Sequence, residues 1–107
     1  MSQINLKDLY KWCSIPVEKL VNHPDLKIPF YIVKDSKEMG EVMARELVNE
    51  IKFHNERGEP TRAIIPCGPK CWYEPFARIV NKEKVSLKNL YVFHMDECLD
   101  WQGRPPP

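Results

Sequence analysis

Three short apolar runs interrupt a chain that is otherwise spaced for helices. Phe30-Tyr31-Ile32-Val33, the segment Arg62–Pro66 carried by Ala63-Ile64-Ile65, and Leu90-Tyr91-Val92-Phe93 do not alternate in polarity. They are rich in aromatic and β-branched residues, so they read as strands buried on both faces. Between the first two runs, Met39, Val42, Met43, Leu47 and Ile51 recur at helical spacing, giving one apolar face. Asp35-Ser36-Lys37-Glu38 in front of them has the form of a capping box, and Gly58 and Pro60 supply the stop. Between the second and third runs, Tyr73, Phe76 and Val80 mark a helix starting near Trp72 or Tyr73. Pro75 falls in its first turn, where a missing N–H loses no intrahelical bond.

The order strand, helix, strand, helix, strand predicts an α/β fold: a parallel sheet with helices on both faces, Rossmann-like and doubly wound, built on right-handed crossovers. Upstream, Leu6–Cys13 and Val17–Asn22 are two short helical candidates broken by Pro16, Pro24 and Pro29. The expected organisation is therefore an N-terminal helical extension over 1–29 and an α/β domain over 30–107. A parallel sheet of three strands leaves an edge uncovered. The pattern thus reads as the N-terminal part of a longer domain, or as one completed by a homo-oligomer or a companion C-terminal segment. A self-sufficient domain capped by the extension is the alternative. The terminal Pro105-Pro106-Pro107 favours polyproline geometry.

Composition narrows the class. The 107 residues carry 16 Lys plus Arg against 15 Asp plus Glu, a net charge of +1. That balance removes the electrostatic case for a general nucleic-acid binder. No stretch approaches the roughly 20 apolar residues that span a bilayer, and the first residues lack an apolar signal region. The expectation is a cytoplasmic protein with no membrane partner. Its four cysteines then read as free thiols, ligands or core residues rather than disulfides, with Cys13 a core residue of the first helix. Met39 and Met43 read as core, His23 and His54 as solvated or capping, and Lys82-Glu83-Lys84 as a solvated turn.

In open parallel sheets, ligands sit beyond the carboxyl ends of the strands. That rule selects Pro66-Cys67-Gly68-Pro69-Lys70-Cys71 and His94-Met95-Asp96-Glu97-Cys98. The first loop precedes a helix, so backbone N–H groups around Gly68 are candidates to face an anion. Lys70 adds a point charge suited to phosphate. The second loop sets Asp96 and Glu97 beside His94, where a carboxylate in a cleft is a candidate general base. An ordinary strand-to-helix turn and solvated loop acids are the plain alternatives. Cys67-x-x-x-Cys71 and His94-x-x-x-Cys98 also compose a Cys₃His set suited to tetrahedral zinc. Against it stands the reading of cysteines as compact apolar residues.

From about Val33 to Gly103 the chain resembles the N-terminal portion of the glucosamine-6-phosphate deaminase/6-phosphogluconolactonase family. There a strand enters a Leu-Pro-Thr-Gly-Ser/Gly-Thr-Pro loop, a helix follows, and the next strand ends Asn-Met-Asp-Glu-Tyr. Here Ile65-Pro66-Cys67-Gly68-Pro69-Lys70-Cys71 and His94-Met95-Asp96-Glu97-Cys98 occupy the matching places. The helix tail Glu50-Ile51-Lys52-Phe53-His54 and the approach Val85–Tyr91 are similar too.

The resemblance implies a sugar-phosphate enzyme of doubly wound fold without a cofactor. The deaminases convert glucosamine 6-phosphate to fructose 6-phosphate and ammonia through an aldose–ketose isomerisation. Asp96, with Glu97 beside it, would move the proton between C2 and C1, and Gly68 with Lys70 would contact the phosphate. A 6-phosphogluconolactonase-like hydrolase and a non-catalytic relative serving assembly or regulation are the alternatives. The sequence departs from the family at Pro69, which has no N–H, at Lys70, at His94 in place of Asn and at Cys98 in place of Tyr. The family's ring-opening His belongs to a later segment than this chain holds.

Overall fold

The computed structural model describes residues 5–105, and the chain divides into two compact units after Ile32. Residues 106 and 107, on which most of the polyproline expectation falls, lie outside the described residues.

The first unit contains α1 (Leu6–Cys13) and α2 (Val17–Leu20). The Asn5 side chain accepts the Lys7 backbone N–H at the start of α1, and Pro16 immediately precedes α2. Neither helix buries a residue within its unit. Leu6, Leu9, Tyr10 and Trp12 are all exposed, and so is Cys13, which corrects its reading as a core residue. A helix of two turns has too few positions to enclose a side chain without a second layer packed on it.

The second unit runs α3 (Ser36–Glu56), β1 (Thr61–Ile65), α4 (Tyr73–Glu83) and β2 (Leu90–His94). Asp35 caps α3, its Oδ1 accepting the Glu38 N–H at 2.9 Å. The returning bond of the expected box goes one residue further out, from the Lys34 N–H to Glu38 Oε2 at 2.6 Å. β1 and β2 pair in parallel with Thr61 opposite Leu90 and Ile65 opposite His94. The α/β class with a parallel sheet is thus present, in its smallest form.

One expectation fails among the described residues, and another is met only in part. Phe30–Val33 is not a strand, because the sheet has only β1 and β2. Strand propensity describes fit to a pleated, half-buried surface, and this run has no ladder in the sheet to join. The sheet is also covered on one face only. Ala44, Val48, Trp72 and Ile79 form a single core in which α3 and α4 meet, with Ile65 of β1 packed against it. On the opposite face the register-matched neighbours Ile64 and Phe93 remain 68% and 58% exposed. The apolar runs are therefore strands whose second face has no covering layer in this unit.

The helix interface is built on small residues. Gly40, Ala44, Val48 and Ile51 are the buried line of α3, one residue rotated from the Met39-Met43-Leu47 line that hydrophobicity selects. A side chain on Gly40 would collide with the Cys71 carbonyl group, so the loop before α4 lies directly against α3. Met43 and Leu47 pack on the flank of this contact. Ion pairs also join the two helices: Glu83 bonds Arg45 at 2.5 Å and Lys52 at 3.2 Å, and Arg78 bonds Glu41. Lys82 and Glu83 thus belong to the last turn of α4 rather than to a solvated turn, and only Lys84 leaves the helix, in left-handed conformation (φ 52°). Exposed pairs of this kind contribute little to stability. Their role here is to fix how α4 lies along α3.

Candidate functional site at the ends of the parallel strands

Because β1 and β2 are parallel and in register, Ile65 and His94 finish at the same level. The Met95 N–H bonds the Ile65 carbonyl at 2.9 Å, carrying the ladder one step beyond β2. The loops that follow therefore leave the sheet side by side. Two groups of side chains result, one joining the loops and one lining a cleft.

The joining group is Cys67, Asp96 and Cys98. Asp96 Oδ1 accepts the Cys67 backbone N–H at 2.8 Å, and Oδ2 lies 3.6 Å from the Cys67 thiol that donates to it. The Cys98 sulfur makes an S–H···S contact of 3.5 Å with Cys67 Sγ. The sulfur hydrogen bond with Cys98, reduced hydration and the Asp96 charge together push the Cys67 thiol up to about 11. It is a thiol at neutral pH, which disfavours it as the first sulfur to react.

The cleft holds about 230 Å³, and its lining includes Lys70, Tyr73, His94 and Glu97 together with Cys67 and Cys98. Glu97 is held from both sides: Oε1 accepts the Cys98 N–H at 3.0 Å and Oε2 lies 3.1 Å from His94 Nδ1. The Cys98 N–H first, then the His94 ring, keep the Glu97 carboxyl below its usual range. The volume is under the roughly 300–1,000 Å³ of drug-sized ligand pockets, which suits it to one polar end of a small molecule. Chemically it offers an ammonium group, a phenol and a carboxylate–imidazole pair, a set able to hold an anion and move a proton.

The residues singled out in the sequence separate accordingly. Lys70 and Glu97 reach the cleft; Asp96 and Gly68 are not among its lining residues. Asp96 faces the Cys67 loop instead. A side chain built on Gly68 would meet no protein atom within 4 Å. The start of α4 also presents few amides: the Tyr73 N–H is taken by the Lys70 carbonyl, and Pro75 has none.

Of the Cys₃His set, Cys67 and Cys98 meet, His94 turns to Glu97, and Cys71 sits with its carbonyl against Gly40. Among the described residues no group of three or more His, Cys, Asp and Glu side chains is arranged to hold a metal ion. The four residues of the candidate zinc set are thus divided between separate contacts.

Two contributors escaped the sequence. Tyr73 falls on the apolar face expected of α4, yet as the first residue of that helix it is 41% exposed and lines the cleft. The pairing of His94 with Glu97 depends on the loop turning back after Met95, which no spacing rule encodes. The remaining histidines are structural: His54 Nδ1 lies 3.1 Å from the hydroxyl of buried Thr61, and His23 Nδ1 accepts the Asp25 N–H at 3.2 Å.

No helix among the described residues is long and apolar enough to cross a membrane. Compared with protein-family models, with curated proteins and with solved structures, the chain matches none of them.

Proposed function

We propose that this chain acts on a sugar phosphate as a glucosamine-6-phosphate deaminase/isomerase-like protein. The observation that carries the reading is the convergence of Lys70 with the His94–Glu97 pair in one cleft at the carboxyl ends of parallel strands. Lys70 supplies a point charge for the phosphate. Once the phosphate is anchored, C1 and C2 of the sugar lie against the loop after β2, where a carboxylate takes the proton from one carbon and returns it to the other. Glu97 borders the cleft and Asp96 holds the place the family resemblance favours. In this reading the sheet is part of a doubly wound one, and the exposed Ile64–Phe93 face takes its covering layer from a second copy or a companion segment. The protein is cytoplasmic and uses no cofactor.

A second reading is a non-catalytic relative serving assembly or regulation. Its support is that both Asp96 oxygens already accept hydrogen bonds from Cys67. One experiment separates the two readings. The full chain is incubated with glucosamine 6-phosphate in D₂O while ammonia release and deuterium at C1 of fructose 6-phosphate are followed, with 6-phosphogluconolactone hydrolysis assayed in parallel. Turnover lost in Lys70→Ala supports the enzyme, and lactone hydrolysis alone selects the hydrolase alternative. A folded chain that neither turns over nor binds either sugar overturns the enzyme reading and supports the non-catalytic relative, in which the altered loop has lost the phosphate; binding without turnover overturns both.

A further inference from the structure

Cys67 and Cys98 stand on separate loops, 31 residues apart in sequence, with their sulfurs 3.5 Å from each other. A disulfide needs about 2.03–2.05 Å, so closing the pair takes a sulfur movement of roughly 1.5 Å. The residues from Asp96 to Asp100 have no regular secondary structure, and Cys98 is exposed. The movement therefore breaks no helix or ladder hydrogen bond. Nothing in the proposed sugar-phosphate chemistry uses either sulfur.

We propose that Cys67 and Cys98 form a redox pair in which a peroxide converts the two thiols to a reversible disulfide bridging the loops after β1 and β2. The first step falls to Cys98, because Cys67 is held as a thiol and the thiolate is the reacting form. The Cys98 thiolate attacks one peroxide oxygen. The O–O bond breaks, hydroxide leaves, and Cys98 becomes a sulfenic acid. The Cys67 sulfur then attacks Cys98 Sγ: the S–S bond forms, the S–O bond breaks, and the departing hydroxide leaves with the Cys67 proton as water. Two thiols lose two electrons and one peroxide becomes two waters. An external thiol reverses the bond by exchange.

The bridge removes the S–H donor from Asp96 Oδ2 and pins together the two loops that frame the cleft. This coupling of oxidation state to the cleft stands whether or not a sugar phosphate is the ligand.

The test is hydrogen peroxide titration of the full chain, alkylation of remaining thiols, and tryptic mass mapping. Cleavage after Arg62, Lys70, Arg78 and Lys88 puts Cys67, Cys71 and Cys98 on three different peptides, with Cys13 on a fourth. The expected product is a single chain, two hydrogens lighter, in which the Cys67 and Cys98 peptides are joined and dithiothreitol releases them. Cys67→Ser and Cys98→Ser each reduce that product to background, whereas Cys13→Ser leaves it unchanged. Unchanged melting of the reduced serine variants shows that they fold. Three results overturn the proposal: Cys98 driven to sulfinic acid while Cys67 stays alkylatable, linkage of either residue to Cys71 or Cys13 instead, or disulfides found only between chains.

Discussion

The backbone N–H of Cys67, two residues past the end of β1, donates to Asp96 Oδ1 two residues past the end of β2 at 2.8 Å. A carboxylate that the sequence offers as a base is thereby a clasp between two loops that the parallel ladder no longer holds. Replacing Asp96 separates these roles. Asp96→Asn keeps an oxygen acceptor and Asp96→Ala does not. The Ala variant is expected to exchange the Cys67 amide hydrogen about fivefold faster, from loss of a bond of about 1 kcal/mol, with the Asn variant near wild type. Hydrogen exchange read by NMR checks it, and equal rates in all three proteins would sink the clasp.

Gly40 illustrates the opposite balance between local preference and packing. Alanine in a helix is favoured over glycine by about 1 kcal/mol. A Cβ at this position would lie 2.7 Å from the Cys71 carbonyl carbon and closer still to its oxygen, against backbone that cannot rotate away. Overpacking of this kind costs about 1–3 kcal/mol, so Gly40→Ala is expected to destabilise. Urea denaturation decides the sign, and a higher midpoint would show that the loop before α4 gives way freely.

Ile51 is 1% exposed at the far end of the same helix line. Truncation to alanine removes buried methyl and methylene groups and leaves a hole, at a cost of about 2–5 kcal/mol. Against a total stability of about 5–15 kcal/mol, that is expected to lower the melting temperature of Ile51→Ala by about 10 °C or more. Thermal melting by circular dichroism provides the check.

Trp72 is buried, at 7% exposed, while Trp12 and Trp101 are at 56% and 88%. Iodide is therefore expected to quench two tryptophans readily and leave a protected component that vanishes in Trp72→Phe. The Trp72 indole Nε1 has no hydrogen-bond partner among the described residues, so that substitution removes an unsatisfied donor along with ring volume. It is expected to cost clearly less than the about 3–5 kcal/mol typical of Trp→Ala.

Acid sensitivity follows from Glu83 and Glu97. The Arg45 and Lys52 side chains hold Glu83 below its ordinary value of 4.5, and the Cys98 N–H and His94 do the same for Glu97. A carboxyl depressed in the folded state binds fewer protons there than in the unfolded chain. Its contribution is complete above about pH 4.5 and is lost as pH falls through the folded value. Stability is expected to decline below that range, less steeply in Glu83→Gln and in high salt, which screens exposed pairs. Urea midpoints from pH 3 to 6 test the slope.

Sequence alone located α1 to the residue, the Asp35 cap, the start of α4 and both paired strands to within one position. These depend on near neighbours: a capping side chain three residues from its amide, a proline in a first turn, a cluster of β-branched residues. Sequence also put Lys70 and Glu97 at strand ends, because loops after parallel strands share one edge of the sheet. Tertiary structure decided which contacts those positions make. Whether Phe30–Val33 became a strand depended on a partner ladder, and whether Ile64 and Phe93 were buried depended on a second helical layer. The face of α3 that packs was chosen by Gly40 and Ala44, whose small size admits a neighbouring backbone, rather than by the larger methionines beside them. Asp96 went to Cys67, and Glu97 to His94, because hydrogen bonds across 29 residues of chain obey the path of the loops, which no local spacing records.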